Sequence, residues 1–183
     1  MSNGLILLVS HEMSLSGAPQ SLLRQACYMR DAGFRIVVWT MLPGRLESRY
    51  ANEGFRVEVV RPDAAADLRR RMKELAPDLA VCNTFKTYRF ADVLVSLKIP
   101  TVWFIRETGD LRTPLAHDRD FSRVFRGFYN LYTISEYARG IIAEYNPNVR
   151  FFDDSVEDAF RGFVPPGEVL RFGFIGSTVR RKG

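Results

Sequence analysis

The feature that most constrains the fold is the stretch of residues 5–29, which has the pattern of a buried strand, a short loop and an amphipathic helix. Residues 5–9 form an unbroken apolar run of strand length, which is typical of a strand covered on both faces. Residues 16–19 then combine a capping residue, a glycine and a proline, and predict the start of a helix. A parallel strand that enters a helix through a glycine turn directs backbone N–H groups towards the carboxyl end of the strand, where such sheets bind anionic ligands.

The hydrophobic pattern beyond this unit alternates between strands and helices as far as residue 152. Short apolar or β-branched runs predict strands at residues 34–40, 55–60, 78–83, 101–105, 131–134 and 149–152. Amphipathic segments predict helices at residues 46–52, 63–75, 90–97, 121–128 and 136–145, and the composition of residues 109–117 predicts a loop. This order predicts an α/β, Rossmann-like sandwich with a mainly parallel sheet.

Polar residues follow several of the predicted strands at the point where each strand ends. They lie at residues 10–17, 83–84, 106–107 and 135–136. Because the carboxyl ends of parallel strands meet at one edge of a sheet, we expect these residues to converge on that edge. It is also the usual ligand crevice of an open α/β sheet.

The composition limits what the chain can be. Its 183 residues suffice for one well-buried domain and the start of another, and its 46% hydrophobic content is typical of a globular protein. No apolar run approaches the roughly 20 residues of a membrane span, and no basic segment precedes the first strand as it would in a signal peptide. Cys27 and Cys82 lie among apolar neighbours, so we expect two reduced, buried thiols. The histidines and cysteines lack the spacing of metal ligands, so we expect no metal.

The net charge of +5 suits acidic partners such as nucleotide diphosphates, anionic lipid head groups or nucleic acid, although a solvated basic surface would give the same value. Most of the local basic charge on the predicted helix 63–75 is contributed by Arg69, Arg70, Arg71 and Lys73. This cluster is a candidate for contact with anionic lipid. The alternative is the solvated face of a helix that covers a sheet.

Four stretches, taken in order, resemble the first half of a GT-B glycosyltransferase of the retaining, nucleotide-sugar-dependent family four. They are the opening unit with its Ser-Gly-Ala-Pro helix start, PTVWFIRE at residues 100–107, YTISEYAR at residues 132–139 and FGFIGSTVRRKG at residues 172–183. The resemblance implies an N-terminal, acceptor-side Rossmann-like domain at residues 1–161 and a linker at residues 162–169. Residues 170–183 would be the first strand and loop of a truncated C-terminal domain that binds the nucleotide-sugar.

The resemblance implies roles for residues at the carboxyl edge of the first domain. Gly17 matches the family's loop glycine that lies against the donor diphosphate, where a side chain would hinder the approach of backbone N–H groups. Arg106, followed by Glu107, stands where the family usually has a sugar-contacting histidine followed by an acid. Arginine cannot act as a general base, but it could hold a hydroxyl, a phosphate or an anionic acceptor group. The alternative is an ion pair of Arg106 with Glu107 or another local group.

In the second domain, the family pattern places an arginine just after the strand's glycine and a lysine further on, and both neutralise the leaving diphosphate. Here Ser177 replaces the arginine and Lys182 matches the lysine. Arg180 and Arg181 lie nearby and are candidates for the missing charge. His11, Glu12 and Ser135 are candidates for acceptor or sugar contacts.

The reaction that the resemblance implies is metal-independent transfer of a hexose from a nucleotide-diphosphate sugar to a hydroxyl, with retained configuration. The setting would be cell-surface polysaccharide or glycolipid synthesis in the cytoplasm, on a saccharide or lipid-linked acceptor at the inner face of the membrane, with no nucleic-acid partner. The 183-residue chain alone is expected to be inactive. An inactive GT-B-like binding module and a GT-B sugar epimerase stay open as alternatives. A dinucleotide-dependent oxidoreductase is disfavoured, because the first loop has one glycine and the second strand ends without an acid.

Overall fold

The computed structural model describes residues 4–107 and 111–154. Its strands are β1 (Leu5–Ser10), β2 (Arg35–Thr40), β3 (Val57–Val59), β4 (Leu79–Asn83), β5 (Thr101–Ile105), β6 (Leu131–Thr133) and β7 (Arg150–Phe151). Its α-helices are α1 (Gly17–Asp31), α2 (Glu47–Asn52), α3 (Ala65–Leu75), α4 (Tyr88–Ser96), α5 (Arg112–His117), α6 (Arg119–Gly127) and α7 (Glu136–Ala143). A 3-10 turn at Phe85–Thr87 precedes α4. The predicted linker and second domain lie outside the described residues.

The strands form one sheet in the order β3-β2-β1-β4-β5-β6-β7, and every neighbouring pair is parallel. The predicted α/β, Rossmann-like architecture is therefore confirmed. The chain order reverses between β1 and β4, where Ser10 pairs with Asn83. Such a switch point opens a crevice beyond the strand ends, which is the expected ligand site of an open α/β sheet.

The helices cover both faces of the sheet and produce two hydrophobic cores. One core joins α1 and α2 to β1 and β2, and Leu8, Leu22 and Tyr50 are fully buried in it. The other lies under α3, α4 and α6, where the ring of Trp103 meets the edges of Phe121 and Phe125 at centroid distances of 6.3 and 5.9 Å. Because each strand of the sheet centre is buried on both faces, the central strands read as continuous apolar runs in the sequence.

The loop prediction for residues 109–117 is wrong, because α5 occupies Arg112–His117. Leu111 and Leu115 are 1% and 7% exposed and pack into the core beneath α6. Pro114 lies within the first turn of this helix, where the lack of an N–H costs little. The pair Leu111 and Leu115, one just before and one within a six-residue helix that also contains a proline, is too weak a signal to predict a helix.

The two cysteines are free thiols, as predicted. Cys82 is fully buried, and burial raises the pKa of its thiol to about 12. Cys27 is only partly buried, which differs from the prediction, because it lies at the margin of the core that covers α1, with its thiol 3.7 Å from the Oε2 atom of Glu53.

Candidate functional site

Three loops meet at the carboxyl edge of the sheet around the switch point. His11 and Glu12 directly follow β1, Thr84 directly follows β4, and Arg106 with Glu107 directly follow β5. The structure therefore brings together all of the residues that the sequence placed at the ends of these three neighbouring strands. They form the candidate site.

His11 is buried between the other two loops. Its Nδ1 lies 3.1 Å from the hydroxyl oxygen of Thr84, and its Nε2 lies 3.5 Å from the Oε1 atom of Glu12. Burial lowers the pKa of His11, with a further lowering from the positive charge of Lys86, and these effects outweigh the attraction of Glu12. The imidazole is therefore neutral at neutral pH and can both donate and accept a hydrogen bond.

Glu12 is held in place by the serines that follow it. Its Oε1 atom accepts hydrogen bonds from the hydroxyls of Ser14 at 2.6 Å and Ser16 at 3.3 Å. Partial burial opposes ionisation, but the hydrogen bonds from Ser14 and Ser16 and the positive charge of Lys86 outweigh it, so the pKa of Glu12 lies below its ordinary value. The carboxylate is charged at neutral pH and faces the crevice.

The amino terminus of α1 is open. Ser16 occupies the N-cap position, but its side chain makes no capping hydrogen bond within the described chain, because its hydroxyl is directed to Ser14 and Glu12. A Cβ atom on Gly17 would meet no described atom within 4 Å. The first amide groups of a helix have no partner inside the helix and carry its positive dipole. This end of α1 therefore offers unshielded donors to an anion beside Glu12.

Thr84 has a strained backbone at the centre of the site. Its φ of +77° and ψ of 157° fall in a region that a β-branched residue rarely adopts. The conformation is held by a hydrogen bond from the Thr84 N–H to the carbonyl of Phe104 at 2.8 Å. The indole N–H of Trp103 donates a second one, also of 2.8 Å, to the Thr84 carbonyl. In this conformation the hydroxyl of Thr84 faces the Nδ1 atom of His11.

Glu107 is a half-buried carboxyl group directly after β5. Its Oε2 atom accepts hydrogen bonds from the main-chain N–H groups of Arg106 at 3.1 Å and Phe85 at 3.3 Å. Burial raises the pKa of Glu107 above its ordinary value, because these bonds and the charge of Lys86 compensate only part of the lost hydration. A carboxyl group with a raised pKa in a crevice is a frequent mark of a functional site.

Arg106 points inward. Its Nε donates to the Oδ1 atom of Asn83 at 2.6 Å, its Nη1 to the Oδ2 atom of Asp154 at 2.7 Å, and its Nη2 to the hydroxyl of Ser21 at 2.9 Å. Its side chain is 6% exposed. Of the ion pairs considered as an alternative, the one with Glu107 is not present, because Arg106 donates a hydrogen bond to Glu107 only from its main-chain N–H. The ion pair that Arg106 does make is with Asp154.

A groove of about 420 Å³ opens beside the first loop. It is bounded by Glu12, Ser14, Leu15, Leu42, Pro43, Gly44 and Arg45. The two loops that form it are tied together, since the N–H of Met13 donates to the carbonyl of Leu42 at 3.2 Å and the N–H of Leu46 donates to the carbonyl of Met13 at 2.8 Å. A Cβ atom on Gly44 would overlap the Met13 carbonyl group, so this close approach requires glycine.

Comparison with known proteins now assigns the fold and the family. The sequence model of the family described as glycosyl-transferase family 4 matches residues 2–125, which is most of the chain. The chain belongs to glycosyl-transferase family 4. No curated protein matches it by sequence.

Solved structures with the same fold include an alpha-glucosyltransferase and a protein bound to UDP-glucose. HepE from Anabaena, in complex with UDP-glucose, is 17% identical with a TM-score of 0.66 over 85% of this chain and 45% of its own. An alpha-glucosyltransferase bound to UDP and DNA is 12% identical with a TM-score of 0.58 over 84% of this chain and 43% of its own. MurG from Acinetobacter baumannii is 10% identical with a TM-score of 0.55 over 72% of this chain and 41% of its own. The family 4 chain thus spans less than half the length of these structures and has the fold of the N-terminal, Rossmann-like half of a GT-B protein.

The other predicted site residues lie apart from this group or outside the described chain. Ser135 caps α7, because its hydroxyl accepts a hydrogen bond from the N–H of Ala138 at 3.1 Å, and it follows β6, which is three strands from β1 in the sheet. Arg180, Arg181 and Lys182 lie outside the described residues. No geometry is therefore assigned to the predicted diphosphate-binding cations.

Sequence reasoning missed three residues that complete the site of this family 4 domain. Lys86 is exposed in the 3-10 turn after β4, and its charge acts on the pKa values of His11, Glu12 and Glu107. Lys86 could have been found from the sequence, because it lies two residues after Thr84, at the polar end of a predicted strand. Ser21 and Asp154 gave none, since Asp154 is 48 residues from Arg106 in the chain.

The basic cluster predicted to contact lipid lies on the outer face of α3. Two of its four cations are already paired: Arg70 with Asp67 and Glu74, and Arg71 with Glu58 and Asp67. These pairs reduce the positive charge available to a membrane. Among the helices of residues 4–107 and 111–154, none is both long and apolar enough to cross a bilayer.

Proposed function

We propose that this chain is the acceptor-side domain of a hexosyltransferase that takes its sugar from a nucleotide diphosphate and transfers it to a hydroxyl. The observation that carries the proposal is the juxtaposition at the switch point. There Ser16, which precedes Gly17 at the open amino terminus of α1, donates to the ionised Glu12 at 3.3 Å. The neutral His11 lies 3.5 Å from the same carboxylate oxygen. Membership of glycosyl-transferase family 4 and the likeness in fold to HepE bound to UDP-glucose support it.

The residues divide into a donor side and an acceptor side. The first amides of α1, with no side chain on Gly17, would approach the donor diphosphate, and Arg180, Arg181 and Lys182 would neutralise it from the second domain. Such fixed charges and dipoles would replace a metal ion at the leaving group. Glu107, at the position of the family's acid after β5, would contact the donor sugar.

The groove beside Glu12 would receive the acceptor. The second carboxylate oxygen of Glu12 has no hydrogen-bond donor among the described residues, so it can accept from an acceptor hydroxyl. The neutral imidazole of His11 lies next to it and could hold or relay that proton. Leu15 and Leu42 expose apolar surface on both sides of the groove, which suits a sugar ring or a lipid-linked acceptor.

We propose further details of the reaction and of the protein. They include retention of the sugar's configuration and a role in cytoplasmic polysaccharide or glycolipid synthesis. They also include a peripheral contact of the α3 cluster with anionic lipid, a domain boundary near residue 161 with a linker at residues 162–169, and inactivity of the isolated chain. They rest on the family resemblance. The competing proposal is a family 4 domain that binds nucleotides without turnover.

The test is release of UDP from UDP-glucose, measured with the 183-residue chain and with the protein extended through the proposed second domain. We expect turnover by the extended protein and none by the chain alone, because the diphosphate and most of the nucleotide would be held by the second domain. UDP binding without turnover by the extended protein would support the inactive module. Turnover by the 183-residue chain alone would contradict the proposed division of the site.

A further inference from the structure

We propose that Arg106 is a positioning residue that fastens the chain leaving β7 to α1 and β4, and that it does not bind the donor sugar. The proposal rests on the proposed function only where it concerns sugar transfer, since the fastening itself is a property of this domain. It departs from the expectation that the residue at this position contacts the donor.

The guanidinium group is occupied by the protein itself. Each of its three nitrogen atoms donates to a different partner, at 2.6 Å to Asn83, 2.7 Å to Asp154 and 2.9 Å to Ser21. Its carbon atom also lies 5.4 Å from the centre of the Phe104 ring. With 6% of the side chain exposed, little of the group remains for a substrate.

The three partners belong to three separate parts of the fold. Asn83 ends β4 and its amide nitrogen donates to the carbonyl of Ala18 in the first turn of α1 at 2.9 Å. Ser21 lies one turn further along α1, and its hydroxyl lies 2.7 Å from the Oδ2 atom of Asp154. Arg106 therefore connects the end of β5 to the first turns of α1, whose amino terminus is the proposed diphosphate site.

Asp154 belongs to the segment by which the chain leaves the sheet. That segment is also held by the N–H of Phe152, which donates to the carbonyl of Thr133 at 2.8 Å, and by the Phe152 ring, 5.2 Å from that of Phe104. The Asp154 side chain is 16% exposed. Releasing Arg106 towards a ligand would leave this mostly buried carboxylate without its hydrogen-bonded cation, with only the more distant charge of Arg24 and the Ser21 hydroxyl to stabilise it, which is unfavourable.

The functional consequence is geometric. The chain after residue 154 leads to the sequence that resembles a second domain. Arg106 holds Asp154, at the end of the described part of the first domain, in place relative to α1. The side chain would then set where the second domain starts with respect to the diphosphate site. It would act on transfer through placement and not through contact with the reacting atoms.

Hydrogen–deuterium exchange on the 183-residue chain tests the fastening directly. We expect Arg106→Met and Asp154→Asn each to raise the exchange rate of residues 150–154 and of the first turns of α1 by about tenfold or more, with β2 unchanged. The double variant should exceed the larger single effect by little, because both substitutions break one connection. Arg106→Lys should recover part of the protection, since one ammonium group can reach Asp154 but not all three partners.

Arg71→Met is the matched control, because it removes an arginine of a similar ion pair on the surface. It should leave exchange at residues 150–154 unchanged. Equal protection of residues 150–154 in wild type and in both Asp154→Asn and Arg106→Lys would overturn the proposal. So would an increase spread evenly over the whole sheet. Asp154→Asn and Arg106→Lys keep the test decisive if Arg106→Met does not fold.

The second half of the proposal is that Arg106 acts on transfer through placement and not through contact with the donor. UDP release from UDP-glucose by the extended protein tests it. A positioning role predicts that Arg106→Met and Asp154→Asn both lower kcat while KM for UDP-glucose changes less than about threefold. A rise of KM by tenfold or more in Arg106→Met, with Asp154→Asn unaffected, would show a donor contact and overturn this half. If the extended protein releases no nucleotide diphosphate from UDP-glucose or from other nucleotide-sugars, the proposed function fails, and the exchange result still decides whether the fastening exists.

Discussion

Two arginine–carboxylate pairs of nearly equal length lie in different surroundings in this domain. Arg106 and Asp154 are 2.7 Å apart with side chains 6% and 16% exposed, whereas Arg71 and Glu58 are 2.8 Å apart with side chains 36% and 47% exposed. Water screens the surface pair, and an exposed pair contributes little to stability. Removing one partner of the buried pair leaves the other charge buried, without an ionic partner and with little access to water. Distance alone therefore does not show which arginine the fold depends on.

The largest effect is expected for Arg106→Met, which should lower the free energy of unfolding by about 3 kcal/mol or more. The reason is that Asp154 loses its cation and the buried Asn83 loses a hydrogen-bond donor. Urea denaturation measures the change. A loss below 1 kcal/mol would show that the buried pair behaves like a surface pair, and the contrast between the two regions would disappear.

The next effect concerns two buried threonines. Thr84 has a positive φ and Thr101, at the start of β5, does not, although each is less than 5% exposed and makes a side-chain hydrogen bond. Glycine relieves backbone strain only at Thr84, so Thr84→Gly should destabilise the protein by about 1–3 kcal/mol less than Thr101→Gly. Equal losses in chemical denaturation would mean that the backbone at Thr84 is not strained.

The third and smaller effect is the dependence of stability on pH, which should be stronger for the buried site than for the surface. Burial lowers the pKa of His11 in the folded protein, so the unfolded chain binds more protons as the pH falls below about 6.5. The contribution of His11 to stability should therefore decrease from pH 7 towards pH 5.5, and His11→Gln should remove this contribution from the profile. A profile of the same slope in the variant would contradict the assignment of a buried neutral imidazole.

The smallest effect is expected for Arg71→Met, which should change the free energy of unfolding by less than about 1 kcal/mol. Any loss should shrink further in about 1 M NaCl, because salt screens exposed charges. The Arg106–Asp154 pair should respond less to salt, since it is removed from solvent. A larger salt effect on Arg106→Met than on Arg71→Met would reverse the comparison.

Much of the fold could be predicted from hydrophobic periodicity, because the central strands are buried on both faces and produce unbroken apolar runs. The parallel sheet in turn places the residues after β1, β4 and β5 at one edge, so His11, Thr84 and Arg106 could be grouped before their contacts were seen. The helix α5 could not be predicted, since its only apolar signal is the pair Leu111 and Leu115 beside a proline. Local pattern does not report contacts made by packing.

The direction of the Arg106 side chain could not be predicted either. Its charge suggested an anionic ligand or a neighbouring acid, and the nearest acid in sequence is Glu107. The observed partner is Asp154, which follows β7. It can reach Arg106 because the fold brings the end of β5 and the first turns of α1 close to this part of the chain. Similarly, the strain at Thr84 depends on Trp103 and Phe104, which hold its backbone from the neighbouring strand.

The most direct test of the account is the affinity of the extended protein for UDP after Gly17→Ala, measured by isothermal titration calorimetry. A Cβ atom at Gly17 meets open space in this domain, as it does at Gly140 in α7, so Gly17→Ala and the control Gly140→Ala should both fold with at least wild-type stability. If the amino terminus of α1 receives the diphosphate, Gly17→Ala should weaken UDP binding by about tenfold or more, which is about 1.4 kcal/mol, and Gly140→Ala should not. Equal UDP affinities for the two variants would contradict the central claim that the switch-point crevice is half of a nucleotide-sugar site.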